Sequence, residues 1–212
     1  MTSILFGENG SGAFAIEAAL AEAGETYEFR DISLEKDEQR SDKFRAINPS
    51  GKVPALKLPE GDIVTETSAL LFLLSERHPQ AGLLPPPGKR ERAQALRWIA
   101  FLASEVYPMV EIADYPERFI ADQKGAAILK MNAKRRIRER MLAAEQAAAG
   151  PWFLAGGFSA VDIYAAMFSR WRGSIGRDWD IPANLPKLQA LAVAVSERPA
   201  IAPVWERHFK SR

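Results

Sequence analysis

The chain has 212 residues, 47% of them hydrophobic, which is enough for one large domain or two small ones with a substantial buried core. Its 28 Lys and Arg residues against 27 Asp and Glu residues give a net charge of +1, which excludes a general electrostatic attraction to nucleic acid or to acidic membranes. The absence of cysteine excludes disulfides, thiolate metal sites and a cysteine nucleophile, so any thiol chemistry must use a thiol of the ligand.

The first 79 residues are predicted to alternate between strands and helices, because apolar periodicity changes from short runs to helical spacing and back. The predicted elements are strand 4–6, helix 13–23, strand 27–32, helix 37–47, strands 53–58 and 62–65, and helix 67–76. Their order is βαβ followed by ββα.

The segment GENGSG, residues 7–12 and called the glycine loop below, lies between the first strand and the first helix. Glycines ahead of a helix N-terminus are typical of a phosphate site. The loop does not match G-x-G-x-x-G, since Asn9 stands where the middle glycine belongs, although Asp31 after the next strand keeps a nucleotide site possible. A nucleotide-binding fold needs further βα units, and no strand is predicted after residue 65, so we expect another ligand.

A proline-rich segment, HPQAGLLPPPG, contains the predicted linker at 80–88 between domains at 1–79 and 89–212. Beyond it the apolar spacing is helical throughout. The basic run KRRIRER at 134–140 is interpreted as the solvated face of an amphipathic helix rather than a nucleic-acid patch.

The two histidines, His78 and His208, are interpreted as surface or capping residues, because neither has a carboxylate at metal-ligand spacing. No metal site is expected. The N-terminus has no secretory signal pattern, and no apolar run reaches the length of about 18 residues that spans a membrane. We therefore expect a cytoplasmic location.

The stretch NPSGKVPAL, residues 48–56, combines an Asn-Pro turn with a proline inside a predicted strand. Because proline donates no ladder hydrogen bond, Pro54 belongs at an edge or a bulge. The backbone of Val53 is then available to pair with an extended peptide. An ordinary turn before the strand is an equally good interpretation.

The cluster TETS, residues 65–68, stands at the start of the helix with the apolar run ALLFLL. Its hydroxyls and the free amides of the helix N-terminus suit a carboxylate, and Glu66 suits an ammonium group. Together they fit an amino-acid head group. Ordinary N-capping explains the same residues.

These features together resemble the cytosolic glutathione transferases over nearly the whole chain. The segment FLAGGFSAVDIYAA, residues 153–166, resembles the motif of that family's second domain, with Ser159 and Asp162 at the spacing of a capping box. The resemblance implies an α/β thioredoxin-like N-terminal domain, βαβ-ββα, followed by an all-α helical domain. It also implies a homodimer.

The resemblance further implies a transferase that activates glutathione, its co-substrate, as a thiolate for attack on a small hydrophobic electrophile. In the family the V-P proline is cis and the preceding backbone binds the cysteinyl part of glutathione, which implies these features for Pro54 and Val53, with Lys52 near the peptide. Glu66 and Thr67 match the acidic and hydroxyl pair that holds the γ-glutamyl end.

The glycine loop would present the glutathione sulfur to the helix N-terminus. Here the chain departs from the family, because aligning EAALAEAG with the family's first helix puts Gly10 or Gly12 at the usual catalytic positions. Ser11 is the only hydroxyl in the loop and is predicted to be catalytic, as a hydrogen-bond donor to the thiolate. The side chain of Asn9 and the amides of Gly12 and Ala13 are the alternatives.

The second substrate is expected to meet aromatic residues of the first long helices of the helical domain, and Tyr107 is the selected candidate. The aromatic residues there are Trp98, Phe101, Tyr107 and Tyr115, and each of them could instead fill the core. Two other functions stay open. One is a glutathione-dependent isomerase, dehalogenase or ether-cleaving enzyme, and the other is a non-catalytic binding protein with the same fold.

Overall fold

The computed structural model describes residues 2–210, and these form two compact units. The first unit contains the residues up to Pro86 together with those from Val195 onward, and the second is Pro87–Ala194. The predicted helical domain, 89–212, therefore corresponds to the second unit only up to Ala194. The described residues after Ala194 belong to the first unit.

A four-stranded mixed sheet forms the centre of the first unit. The strands are β1 (Ser3–Gly7), β2 (Tyr27–Asp31), β3 (Ala55–Lys57) and β4 (Ile63–Thr65), in the order β2-β1-β3-β4. β1 is parallel to β2, whereas β3 is antiparallel to both β1 and β4. β3 is shorter than the predicted strand 53–58, since Pro54 has no N–H for the ladder.

Helix α1 is a largely buried element of the first unit. It spans Ala13–Ala23, as predicted, and its residues from Ala13 to Leu20 are all buried. It packs against β1, against α3 (Thr67–Arg77) and against the late helix α11 (Ala202–Trp205). Short 3-10 turns at Glu38–Arg40 and Pro79–Ala81 and a π turn at Glu206–Lys210 complete the unit.

The prediction of one helix over 37–47 is wrong. Asp37 has a φ of 54° and Ser41 is extended, so the helix cannot run through either residue. Ser41 instead accepts the amide hydrogen of Phe44 and caps a short helix α2, Asp42–Arg45. A hydroxyl that captures a nearby amide is the usual reason that serine ends or begins a helix rather than continuing it.

The second unit is helical. Its helices are α4 (Arg90–Phe101), α5 (Tyr107–Asp114), α6 (Gln123–Ala147), α7 (Ala160–Arg170), α8 (Arg172–Ile175), α9 (Ile181–Asn184) and α10 (Pro186–Ser196), which ends at the boundary with the first unit. A π turn, Leu102–Val106, joins α4 to α5. α6 packs against α5 and α8, and α4 packs against α7. Among residues 2–210 no helix is both long and apolar enough to cross a membrane.

Candidate functional site

Three of the segments singled out in the sequence meet at one end of the sheet. The glycine loop begins at Gly7, the last residue of β1, and Phe6 pairs with Ala55, the first residue of β3. Ala55 in turn pairs with Thr65, the last residue of β4. The strand directions therefore bring together the glycine loop, the Val53–Pro54 segment and the start of α3.

Gly7 lies so close to α1 that a side chain has no room. A Cβ atom at position 7 would stand 2.2 Å from the Cβ of Ala13. The end of β1 therefore lies directly against the first residue of α1, and the glycine loop connects the two over a short distance. Within the loop Gly10 has a φ of 80°, a conformation that glycine adopts without cost.

The hydroxyl of Ser11 is engaged within the loop. It donates a hydrogen bond to the carbonyl of Glu8 (2.6 Å) and accepts one from the amide of Ala13 (3.2 Å), the first residue of α1. The backbone N–H of Ser11 also donates to the Glu8 carbonyl, at 3.1 Å. The hydroxyl of Ser11 is thus bonded on both sides, and its proton already has an acceptor.

Asn9 and Gly12, the alternatives to Ser11, lie on either side of it. The side-chain oxygen of Asn9 is buried and has no hydrogen-bond partner among residues 2–210. Gly12 is buried and directly precedes α1. A buried polar atom that lacks a partner is uncommon in a protein, but this oxygen is an acceptor, so only the amide nitrogen of Asn9 could donate to a thiolate.

The interpretation of His208 as a surface or capping residue is wrong. His208 is 0% exposed, and its ring nitrogen Nδ1 accepts the amide hydrogen of Gly10 at 2.9 Å. The sequence did contain a signal for this burial. Ile201, Val204 and Trp205 stand seven, four and three residues before His208, so the four residues share one helical face. His78, by contrast, follows α3 and lies 2.5 Å from a carboxylate oxygen of Glu25.

The turn before β3 is built by Asn48. Its side-chain amide donates to the carbonyl of Lys52 (2.6 Å), and its side-chain oxygen accepts from the backbone N–H of Ser50 (3.1 Å). Gly51, with a φ of 64°, allows the chain to reverse. Lys52 itself is exposed at the tip of this turn.

The Val53–Pro54 peptide bond is cis, which confirms the prediction. The side chain of Val53 packs beside the cluster of Phe6, Phe44 and Ala55. Its backbone N–H and C=O form no hydrogen bond within the described part of the chain. This backbone is therefore open to an extended partner.

Glu66 and Thr67 form the start of α3 without capping it. Glu66 has a φ of 67° and a ψ of 115°, and Asp37 is the only other non-glycine residue with positive φ among residues 2–210. Its carboxylate is exposed, no side chain caps the helix, and the Thr67 hydroxyl, on a residue only 5% exposed, has no hydrogen-bond partner in the described range. The N-capping alternative thus does not describe this helix start.

Tyr107 begins α5 in the second unit. Its half-buried ring contacts the rings of Tyr164, Phe168 and Trp171, with centroids 6.4, 5.6 and 5.4 Å away. Trp98, in contrast, is buried in the helical core. Tyr107 is therefore one edge of an aromatic cluster.

Comparison with known proteins gives the chain its family. A family model for the N-terminal domain of glutathione S-transferases matches residues 13–77. Over 206 residues the chain is 30% identical to YncG, an uncharacterized GST-like protein of Escherichia coli K12, covering 96% of this chain and 97% of the relative. This chain belongs to the glutathione S-transferase family. It is also 25% identical over 202 residues to the glutathione S-transferase GstA of Escherichia coli O157:H7, covering 93% and 94% of the two chains.

Solved structures of glutathione S-transferases share the fold. A glutathione transferase homolog from Sulfitobacter, solved with bound glutathione, matches with a TM-score of 0.88 at 26% identity over 97% of both chains. A sphingomonad glutathione S-transferase complexed with glutathione matches with a TM-score of 0.80 at 29% identity over 96% of this chain and 97% of the other. The predicted fold class, a thioredoxin-like domain followed by an all-α domain, is confirmed.

The predicted capping box of the second unit is also present. Ser159 and Asp162 pair reciprocally at the start of α7, and the carboxylate of Asp162 accepts the backbone N–H of Ser159 at 2.7 Å. It also accepts the hydroxyl of Ser159 (3.1 Å) and the backbone N–H of Phe153 (2.6 Å). Burial raises the pKa of Asp162 to about 6, against the lowering effect of these hydrogen bonds. The polar groups at the start of α7 therefore stabilise the fold.

Proposed function

We propose that this family member is a glutathione transferase that binds glutathione at the end of the sheet where the three segments meet. The observation that carries the proposal is the conformation of Glu66. A positive φ outside glycine costs free energy, and such residues are typical of ligand sites. At Glu66 it holds a carboxylate that has no partner among residues 2–210, beside a helix N-terminus that no described side chain caps.

The start of α3 suits the γ-glutamyl end of glutathione, which carries one ammonium and one carboxylate. The exposed carboxylate of Glu66 would pair with the ammonium group. The ligand carboxylate would accept from the free amides of the first turn and from the hydroxyl of Thr67, where the helix dipole favours negative charge. Both charges of the ligand then have partners of opposite sign.

The peptide portion of glutathione would extend past the turn before β3. The unpaired N–H and C=O of Val53 can pair with the cysteinyl residue in the manner of an added strand, with cis Pro54 completing the turn. Lys52, which is exposed beside it, would lie near the peptide.

The sulfur would then lie at the glycine loop, with Ser11 as the side-chain donor to the thiolate. Turning the Ser11 proton from the Glu8 carbonyl toward the sulfur leaves no group unpaired, because that carbonyl keeps the hydrogen bond from the Ser11 amide. The exchange is favourable since a hydrogen bond to a charged acceptor is roughly twice as strong as one to a neutral carbonyl. Asn9 and the Gly12 amide are the competing donors.

In the reaction, the thiol of glutathione loses its proton to solvent and the thiolate attacks an electrophilic carbon. A carbon–sulfur bond forms, and the leaving group takes the electron pair of the bond that breaks. A free thiol with a pKa of about 8.5 is only about 3% ionised at pH 7, so a donor that stabilises the thiolate raises the reactive fraction. Tyr107, whose ring is half-buried in the second unit, is proposed to contact the hydrophobic electrophile.

A glutathione-dependent isomerase is the second candidate. The chain is 31% identical over 102 residues to the maleylacetoacetate isomerase of Pseudomonas aeruginosa, covering 47% of each protein. An isomerase would use the same glutathione site and release the cofactor unchanged.

Two measurements test the proposal. Calorimetry of the purified protein with glutathione is expected to show one site per chain, and an aryl halide with glutathione is expected to give the thioether product. Binding without any thioether would leave an isomerase or a non-catalytic binding protein, and absence of binding would overturn the proposal.

We also propose that the protein is a homodimer, as its family membership suggests. Large apolar side chains that remain exposed, such as Ile63 on β4, are compatible with a partner surface. Light scattering at micromolar concentration is expected to give twice the mass of the 23.5 kDa chain. A monomeric mass would refute this assembly.

A further inference from the structure

A buried polar cluster links the glycine loop to the last helical turn that the structure describes. His208 lies in the π turn Glu206–Lys210, and both His208 and Glu17 of α1 are 0% exposed. The ring of His208 contacts Gly10 through Nδ1, at 2.9 Å, and the carboxylate of Glu17 through Nε2, at 2.7 Å. A single imidazole thus connects the loop to the first helix.

The hydrogen bonds fix which ring nitrogen carries the proton. The backbone amide of Gly10 can only donate, so Nδ1 of His208 must accept and carries no hydrogen. The proton of the neutral ring therefore lies on Nε2 and is donated to Glu17. The chain of donors runs in one direction, from Gly10 through His208 to Glu17.

The surroundings keep His208 in place. The rings of Phe14, Phe29 and Phe209 stand around the imidazole, with centroids 5.5, 6.2 and 6.0 Å away. The imidazole is thus enclosed by apolar rings and is 0% exposed. Losing it removes the acceptor that the half-buried Gly10 amide has in this structure.

Two further contacts hold residues 195–210, called the late segment below, against α1. Arg207 donates to the second oxygen of Glu17, which also accepts the hydroxyl of Tyr27 at 2.8 Å. Nearer the boundary between the units, Arg198 pairs with Glu22 through two hydrogen bonds of 2.7 and 2.8 Å. The imidazole is thus presented to the glycine loop from a firmly attached segment.

We propose that His208 is a positioning residue that holds the Gly10 amide and thereby fixes the glycine loop in the shape that receives the glutathione sulfur. Gly10 is next to Ser11 and bonded to Asn9, so a displaced Gly10 would move every proposed donor. The effect on the sulfur rests on the proposed function, whereas the tether between His208 and Gly10 does not.

A matched pair of substitutions separates the two bonds of the ring. In His208→Asn the side-chain oxygen takes the place of Nδ1 and can still accept from Gly10, but the bond to Glu17 is lost. In His208→Gln the side-chain amide takes the place of Nε2 and can still donate to Glu17, but Gly10 loses its acceptor. Arg198→Gln, which loosens the same segment away from the loop, is the control.

The first measurement is the exchange rate of the Gly10 amide hydrogen, followed by NMR without ligand. Exchange is expected to be about tenfold faster in His208→Gln than in wild type, and close to wild type in His208→Asn and Arg198→Gln. Equal rates in wild type and His208→Gln would overturn the proposal. Equal acceleration in both His208 variants would also overturn it, because a role in packing alone predicts that result.

The second measurement is the titration of bound glutathione by its thiolate absorbance. His208→Gln is expected to raise the pKa of the bound thiol and to lower kcat about tenfold at neutral pH with KM for glutathione unchanged, whereas His208→Asn keeps the wild-type values. An unchanged thiol pKa in His208→Gln would refute the positioning role. If wild type binds no glutathione, the proposed function fails, and the Gly10 exchange rates still decide whether His208 holds the loop.

Discussion

The N-termini of α3 and α7 look alike in sequence and differ in structure. Each has a hydroxyl residue and an acidic residue within one turn ahead of an apolar run, in TETSALLF and in FSAVDIYA. At α7 the carboxylate of Asp162 accepts three hydrogen bonds within a buried cap. At α3 the carboxylate of Glu66 is exposed and no side chain caps the helix.

The two helix starts have different roles. A capped helix end uses its polar groups to stabilise the fold, and nothing remains for a ligand. An uncapped end keeps free amides and an unpaired carboxylate at the surface, and its own stability is lower for that reason. Substitutions at α7 should therefore change stability alone, and substitutions at α3 should change ligand binding alone.

The largest expected effect is that of Asp162→Ala on stability. The substitution leaves the amides of Phe153 and Ser159 buried without an acceptor, so the free energy of unfolding should fall by about 3 kcal/mol. Urea denaturation measures this loss, and calorimetry should find unchanged glutathione affinity in the folded fraction. An unchanged unfolding midpoint with lost binding would reverse the assignment of α7.

The pH dependence of stability provides a second test of the buried cap at α7. Burial raises the folded-state pKa of Asp162 to about 6 from an ordinary value of 3.8, so the folded protein binds an extra proton between these two pH values. The contribution of this group is therefore fully present below about pH 4 and is lost as the pH rises through 6, by about 3 kcal/mol.

Urea denaturation of wild type and Asp162→Asn from pH 4 to pH 8 measures this contribution. The stability of wild type relative to the variant should decline up to pH 6 and then level off. A relative stability that rises over that range would contradict the raised pKa.

Glu66→Gln tests the uncapped helix start. Removing the charge that would meet the ligand ammonium should weaken glutathione binding about 30-fold. This factor corresponds to about 2 kcal/mol, the free energy of one hydrogen bond to a charged group. The free energy of unfolding should stay at the wild-type value. Asp62→Asn, which removes an exposed charge just before β4, is the matched control, and this variant should bind glutathione as wild type does. Wild-type affinity in Glu66→Gln would remove this residue from the site.

Ser11→Ala has the smallest expected effect, about tenfold on turnover at neutral pH. Loss of the hydroxyl should raise the pKa of bound glutathione by about one unit. It also removes the hydroxyl that accepts the Ala13 amide hydrogen, which costs about 1 kcal/mol of stability. Ser41→Ala removes a hydroxyl that accepts the Phe44 amide hydrogen and controls for that cost. Superimposable thiolate titrations in wild type and Ser11→Ala would leave Asn9 or the Gly12 amide as the donor.

Local sequence patterns predicted much of the structure. Helix α1, the order of strands and helices along the first unit, cis Pro54 and the capping box of Ser159 and Asp162 follow from residues close together in the chain or from a family motif. The glycine loop was located in the same way, although its donor to sulfur stays a prediction.

What the sequence did not reveal depends on distant contacts or on backbone conformation. Gly10 and His208 are 198 positions apart, and no local rule pairs them. The uncapped start of α3 depends on the φ of Glu66, which the sequence TETS does not specify. The helix predicted at 37–47 failed because capping by Ser41 overrode helical periodicity.

The return of the late segment to the first unit has a consequence for synthesis on the ribosome. Translation delivers the strands and α1 first, but Arg207 and His208, the partners of Glu17, are made almost 200 residues later. Until they emerge, a carboxylate designed for burial lacks its cation and its imidazole. The N-terminal unit therefore cannot complete this buried cluster until the helical unit has been translated.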